Sequence, residues 1–441
     1  MTEIDIKSRL ALKTVSALGV LALSAAALAG CAATSTETEA TESETSAAAT
    51  TTPGGCELGP EQEGDLTLKL GTALPLTGNL AFLGPPEEAG VALAIKDINE
   101  AAKGITIEAT LGDSGDTDNK AYDTEIPRLL NAGVEAVIGA ASSGTSLQFI
   151  DRLVAECVIQ FSPANTSAAL STYEDKGLYF RTAPSDVLQG EVLGNLIAAD
   201  GHQNIAMIVL NDSYGTGLAK FTTEAFEAAG GTVLAAPTYN TGDTSFDAQI
   251  AEVLATDPDA IVLITFEEVK TIIPDLVSQF PADKLYFVDG NLANFSEDFE
   301  PGTLTGAKGT LPGLDIETIP EFLTKMNDNW VAEGNPDLGG VYSYGPESYD
   351  AVVLLALAAL ASGSVEGVDM AGKLQEVSGG SGSGTKCTSF AECADIIIGG
   401  GVADYDGVSG PITFNEVGDP TEASIGVYVY EDSNEYVPYK G

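Results

Sequence analysis

The sequence predicts an α/β protein built from two doubly wound parallel sheets, and three observations predict it. At 441 residues the chain exceeds what one hydrophobic core usually serves. Short β-branched runs recur along it, each closed by glycine or a small polar turn, as strands buried on both faces are. Segments with helical spacing separate these runs, the alternation that crossover connections between parallel strands require.

The elements follow in order. Leu66 to Ala73 alternates as a first strand and runs into Leu74-Pro75-Leu76-Thr77-Gly78. A helix from about Pro86 to Ala102 places Val91, Ile95 and Ile98 on one face, and Ile105 to Leu111 is a second strand. The acidic run Gly112 to Asn119 invites a calcium reading, but no glutamate stands at the last ligand position and acidic helix starts look the same. Ala121 to Ala132 is helical, Val134 to Gly139 is a strand, Leu147 to Val154 is helical, and Val158 to Phe161 is a strand. Two successive strands therefore end in loops of small and hydroxyl residues, Ala140 to Ser146 and Ser162 to Thr166. In open α/β sheets ligands sit beyond such strand ends, where free N–H groups favour an anion. Ser143 and Thr166 are on this ground candidates for a carboxylate clamp, although both residue types are equally ordinary helix N-caps.

Leu178 to Asp186 is extended and marks a passage to a second set of β/α units. These are helix Val187 to Asp200, strand Ile205 to Leu210, helix Thr216 to Ala229, strand Thr232 to Ala235, helix Phe246 to Ala255, and strands Ala260 to Thr265 and Leu285 to Val288. Gly309 to Asp315 returns the chain to helix Ile319 to Glu333, which holds the single tryptophan, Trp330. Ala351 to Ala361 is apolar nearly all round but too short for a membrane span, so it is a buried core helix. Tyr342, Tyr344 and Tyr349 read as packing residues. Gly410 to Asp419 and Val427 to Tyr430 close the chain as strands.

With a formal charge of −46, nucleic acid and anionic lipid surfaces are excluded as partners. Lys7, Arg9 and Lys13 precede the apolar stretch Leu10 to Gly30, a secretory pattern ending Leu28-Ala29-Gly30-Cys31 that resembles a bacterial lipobox. The expectation is a signal peptide over 1–30, a lipid on Cys31, and a protein anchored on the outer face of the cytoplasmic membrane. Residues 31–64 hold almost nothing to bury and read as a disordered tether. The remaining four cysteines suit two disulfides, and of the three pairings Cys56–Cys157 with Cys387–Cys393 is preferred. No CxxC occurs and the single histidine is His202, so no metal site is expected. An enzyme is disfavoured as well: there is no GxSxG, and His202 lies between a helix and a strand. The glycine-serine run from Gly379 to Gly384 lacks the lysine ending of a phosphate loop.

Seven segments recur in family order. They are Leu74 to Gly78, Ile138-Gly139 with Ser142-Ser143, Ser162 to Thr166, Phe180-Arg181-Thr182 with Ser185-Asp186, Asp212 to Gly215, Tyr349-Asp350-Ala351 and Gly410 to Phe414. Over about residues 66–440 the chain resembles the leucine/isoleucine/valine-type substrate-binding proteins of ABC importers. The resemblance implies two lobes joined by three crossings, the type I periplasmic-binding or Venus-flytrap arrangement, with 65–182 and 314–409 in one lobe and 183–313 and 410–441 in the other. It implies a monomer without cofactor that passes a small amino acid to ABC permease subunits; urea, short amides or a sensing role stay open within the same fold. Carried onto this sequence, Ser143 or Ser142, Ala164, Asn165 and Thr166 hold the α-carboxylate, and Tyr214 closes from the other lobe. Phe266 stands where relatives often have tyrosine. Asp289 takes the α-ammonium where relatives carry glutamate, and Leu83, with Phe82 beside it, replaces an aromatic wall.

Overall fold

The computed structural model describes residues 56–440 apart from 61 and 63. The signal segment, Cys31 and the tether as far as residue 55 lie outside the described residues. Cys56, Gly59 and Gln62, expected to belong to the tether, are tied to the first lobe: Cys56 is bonded to Cys157, and the Gly59 and Gln62 N–H groups donate to Asp369 Oδ2 and the Gly363 carbonyl.

The first lobe opens with β1 (Leu66–Ala73), α1 (Gly84–Ala101), β2 (Ile105–Thr110), α2 (Tyr122–Ala132), β3 (Ala136–Gly139), α3 (Ser143–Ala155), β4 (Ile159–Ser162) and β5 (Tyr179–Arg181). The strands form one parallel sheet in the order β2-β1-β3-β4-β5. Alternation sorts the two faces. Ala136 and Ile138 of β3 face the larger core, whereas Val137 faces Tyr122, Ile126 and Phe149 beneath α2 and α3. Gly139 ends β3 at φ 117°, where a Cβ would lie 2.1 Å from the Ala73 carbonyl oxygen, so only glycine lets β1 and β3 end side by side.

The second lobe continues with α4 (Asp186–Ala199), β6 (Asn204–Leu210), α5 (Ser213–Ala228), β7 (Thr232–Ala235), β8 (Thr238–Tyr239), α6 (Asp247–Ala255), β9 (Ala260–Ile264), α7 (Val269–Val277), β10 (Leu285–Phe287) and β11 (Lys308–Pro312). The chain then returns to the first lobe through α8 (Pro320–Ala332), α9 (Gly345–Ser362), α10 (Gly367–Val377), β12 (Thr385–Cys387), α11 (Phe390–Ile398), β13 (Ala403–Gly407) and β14 (Gly410–Pro411). It finishes in the second lobe with β15 (Ile425–Tyr430) and β16 (Tyr436–Pro438). The second sheet runs β16-β15-β11-β10-β9-β6-β7, parallel from β7 to β11 and antiparallel at β15 and β16.

Three expectations are corrected. The last crossing is not at residue 410: Ile412 and Phe414 pack in the first lobe's core, where Phe414 meets Phe161 and Phe180, and the chain crosses only between Pro420 and Ile425. The strand read over 410–419 shrinks to Gly410–Pro411, paired with β13 in a small separate sheet. Helices α7, α10 and α11 were not read from the sequence. Two of them are only nine residues long and α7 holds Pro274, so neither shows enough turns for a period. Both preferred disulfides are present, with Cα separations of 5.9 Å for Cys56–Cys157 and 5.4 Å for Cys387–Cys393. Helix α9 is buried along its length from Gly345 to Ala359, and no single helix among the described residues is long and apolar enough to cross a membrane.

Candidate functional site

Strand order reverses between β1 and β3 in the first sheet and between β6 and β9 in the second. Loops leaving neighbouring strands diverge at such points and open a crevice at the carboxyl ends. Here the two crevices face each other across a small, nearly filled cavity, with room of about 10 Å³. The first lobe contributes Leu80, Leu83, Ala141, Ser142, Ser143, Ala164, Thr166 and Tyr344, and the second Tyr214, Phe266, Asp289 and Gly290. Every one of them is buried, so the lobes are shut on the cavity.

The first lobe's polar end is held by its own turns. Ser142 caps α3, its hydroxyl accepting from the Thr145 N–H at 3.2 Å, and Ser143 Oγ accepts from the Ser167 N–H at 3.2 Å. Ser162 Oγ gathers the Ala164 and Asn165 N–H groups and donates to the Ala140 carbonyl at 2.7 Å. Asn165 does not line the cavity. Its amide donates to the Ala140 and Ala141 carbonyls at 2.9 and 2.7 Å, stitching the loop after β4 to the loop after β3. Behind them Arg181, fully buried, donates to the Asn165 and Ser167 carbonyls and pairs with Asp419 at 2.6 Å. Among the described residues no lysine, arginine or histidine reaches the cavity wall, so an anion there would meet hydroxyls, N–H groups and the positive end of α3.

At the opposite end Asp289 follows β10. Its Oδ1 accepts from Tyr214 OH at 2.6 Å and Gln189 Nε2 at 3.0 Å, and its Oδ2 accepts from Tyr344 OH at 2.7 Å. Burial pushes the Asp289 carboxyl above the usual range, and these donors pull it back. Asp186, buried at the start of α4, is driven well above its ordinary value by burial and by the Asp289 charge. The remaining wall is apolar: Leu80, Leu83 and the Tyr214–Phe266 stack, with centroids 5.4 Å apart and planes at 15°.

Direct bonds close the lobes around this space. Asn79 donates to Glu268 through its amide, and its carbonyl accepts from the Glu267 N–H at 3.2 Å. Ser167 Oγ donates to the Ser213 carbonyl at 2.8 Å. Gly144 lies so near Asp212 that a Cβ would stand 2.6 Å from Oδ2. The acidic loop that invited a calcium reading has another task. Asp113 accepts from the Leu76 and Thr77 N–H groups and from Thr77 Oγ1, and Asp116 accepts from the Asn79 N–H, so both brace the loop that carries Leu80 and Leu83. Among the described residues no group of three or more His, Cys, Asp or Glu side chains is placed to hold a metal.

The structure thus brings together Leu83, Ser142, Ser143, Ala164, Thr166, Tyr214, Phe266 and Asp289 of the expected residues. Phe82 does not line the cavity and packs, half-buried, against the second lobe's core. Tyr344 was read as packing and is instead a wall residue bonded to Asp289. Leu80, Ala141 and Gly290 were missed. No local pattern singled out Tyr344, which stands at the N-cap of α9 with φ 61°.

Residues 67–392 match the sequence profile of the periplasmic binding proteins. The chain is similar to a chemotactic signal transduction system substrate-binding protein, BasB, of Halobacterium salinarum, at 24% identity over 80% of this chain and 84% of that protein. It is 32% identical to a leucine-, isoleucine-, valine-, threonine- and alanine-binding protein of Pseudomonas aeruginosa over 42% of this chain and 50% of that one. Among solved structures, the branched-chain amino acid transporter substrate-binding protein LivJ of Streptococcus pneumoniae, in complex with isoleucine, superimposes with a TM-score of 0.65 at 21% identity. That superposition covers 85% of this chain and all of LivJ, and it shows a shared fold. The matching family and these neighbours are solute-binding proteins and not enzymes.

Proposed function

Since the chain belongs to the periplasmic binding protein family, whose members act outside the cytoplasm, we propose that it captures a small amino acid of the branched-chain type between its lobes and delivers it to an ABC importer. The observation that carries this reading is the polarity of the closed cavity. Neutral donors at Ser142, Ser143, Ala164 and Thr166 stand at one end, Asp289 at the other, and Leu80, Leu83 and Phe266 between.

A zwitterion needs this division, because either charge buried without a partner costs several kcal/mol. The α-carboxylate takes the hydroxyl end and the α-ammonium takes Asp289, whose four or so lone-pair positions are not exhausted by three protein donors. Between the two ends the wall is apolar, made by Leu80, Leu83 and Phe266, which suits a short apolar side chain. Because the two ends belong to different lobes, a ligand that spans them binds the shut form better than the open one, and that difference in affinity drives closure.

On the same reading residues 1–30 are removed, Cys31 carries a diacylglyceryl anchor, the segment after it is a tether, and the mature protein is a monomer engaging membrane subunits. The likeness to the Halobacterium chemotactic protein supports a second reading, in which the same ligand-driven closure is read by a signalling partner.

The test is a thermal-unfolding scan of the full chain against the twenty amino acids, urea and short amides. A ligand at ~100 times its dissociation constant adds about 2.7 kcal/mol. A shift with leucine, isoleucine or valine is the expected result. A shift only with urea or an amide would keep the fold and overturn the amino-acid assignment, and no shift with any of them would overturn capture of this ligand class. Intact mass of membrane-extracted protein checks the anchor, which an unmodified Cys31 would reject.

A further inference from the structure

A second cavity, sharing no wall residue with the cleft, lies on the outside of the first lobe between α1, the end of β2 and α8. It holds about 430 Å³ and opens to solvent. Val91, Ile95, Ala109, Leu111 and Trp330 form an apolar lining, interrupted by Glu88 one turn into α1. We propose that this cavity binds a small organic ammonium, its charged head on Glu88 and its apolar body against Trp330 and the aliphatic wall.

Two things favour a cation over other ligands. Glu88 is half-buried and has no hydrogen-bond or ion-pair partner among the described residues, with Oε1 shut away from solvent. Burial and the nearby Asp113 push its carboxyl up to about 7. The other two charged groups on the wall are each held by the amide of Asn329 behind it: Lys96 Nζ donates to Asn329 Oδ1 at 3.0 Å, and Asn329 Nδ2 donates to Glu333 Oε1 at 3.2 Å. Of the charged groups on this wall only the Glu88 carboxyl has no hydrogen-bond partner, and an arriving ammonium supplies the one it lacks. A large apolar pocket with few polar groups, one of them a shifted carboxyl, is the ordinary form of a small-molecule site. An indole on the wall adds a surface that attracts cations.

The experiment uses the chain's single tryptophan as reporter, since Trp330 stands on this wall and the cleft has none. The full chain, with and without saturating leucine, is titrated with hexylammonium, hexanoate and hexan-1-ol while Trp330 emission is followed. The expected result is a saturable change with hexylammonium, unaffected by leucine and at least tenfold weaker with the other two probes. Glu88→Gln should weaken hexylammonium binding at least tenfold, and Ala92→Phe, which fills the cavity, should abolish it, with thermal melts confirming that both variants fold. No saturable change, an equal response to all three probes, or full binding by Glu88→Gln would each overturn the proposal.

Discussion

Replacing Tyr344 by phenylalanine removes a single hydroxyl from the cleft wall. In the shut structure that hydroxyl donates to Asp289 Oδ2 at 2.7 Å, and Tyr344 is only 3% exposed. Its bond to a carboxylate is of the charge-assisted kind, for which loss costs about 1.5–3 kcal/mol. The position of the bond decides where that loss falls. Tyr344 belongs to the loop between α8 and α9 of the first lobe, whereas Asp289 and its other donors, Tyr214 and Gln189, belong to the second. The bond therefore stabilises only the shut form. At 1.4 kcal/mol per decade, Tyr344→Phe should weaken amino-acid binding by about 10- to 150-fold. Titration calorimetry with leucine gives the affinity, and small-angle scattering of the free and loaded protein gives the balance of open and shut forms. Tyr214→Phe is the comparison: it deletes a bond of 2.6 Å inside one lobe, so it should weaken binding while leaving the unliganded balance unchanged. A Tyr344→Phe protein that binds leucine within threefold of the parent and closes as readily would refute the reasoning.

Other consequences concern the supports of the site. Asp289→Asn should abolish measurable leucine binding by calorimetry while the protein still folds, because the donors around it remain in place. Asp419→Asn removes the charge opposite a fully buried Arg181 and should cost about 3–5 kcal/mol in urea unfolding. It should also weaken binding, since Arg181 holds the carbonyls of Asn165 and Ser167. Burial pushes Glu347 up to about 8 and Glu135 up to about 7. The folded chain thus keeps protons that the unfolded chain releases near pH 4.3–4.5, so this stability is full below that range and is lost as pH rises through 7 and 8. Urea unfolding at a series of pH values should show stability falling by up to about 1.4 kcal/mol per unit for buried Glu347 and by less for the partly exposed Glu135, and Glu347→Gln should flatten the upper part of the curve. Cys56→Ser opens a cross-link spanning 101 residues and should cost about 2–5 kcal/mol, against a smaller loss for Cys387→Ser, whose cross-link spans six.

The sequence by itself determined the parts that depend on neighbours along the chain. The β3, β6 and β9 runs are rich in β-branched residues, and β3 and β4 end in small and hydroxyl residues, so their existence and their polar carboxyl ends could be read directly, and with them Ser142, Ser143 and Thr166. Asp289 and Tyr214 were reachable for the same reason, each standing just past a strand end. Short helices such as α7 and α11 were not, because nine residues hold too few turns for a period to emerge. The tertiary structure alone decided which of two adjacent side chains faces the cleft. Phe82 and Leu83 are equivalent as sequence, but the loop braced by Asp113 and Asp116 places Leu83, buried, on the cleft wall and leaves Phe82 half-buried off it. It also decided the role of Asn165, which serves carbonyls lying 24 and 25 residues away, and that of Tyr344, whose partner is 55 residues distant. Local pattern fixes where strands end; which side chains meet across a cleft depends on contacts between distant segments, and these exist only once the two lobes are packed.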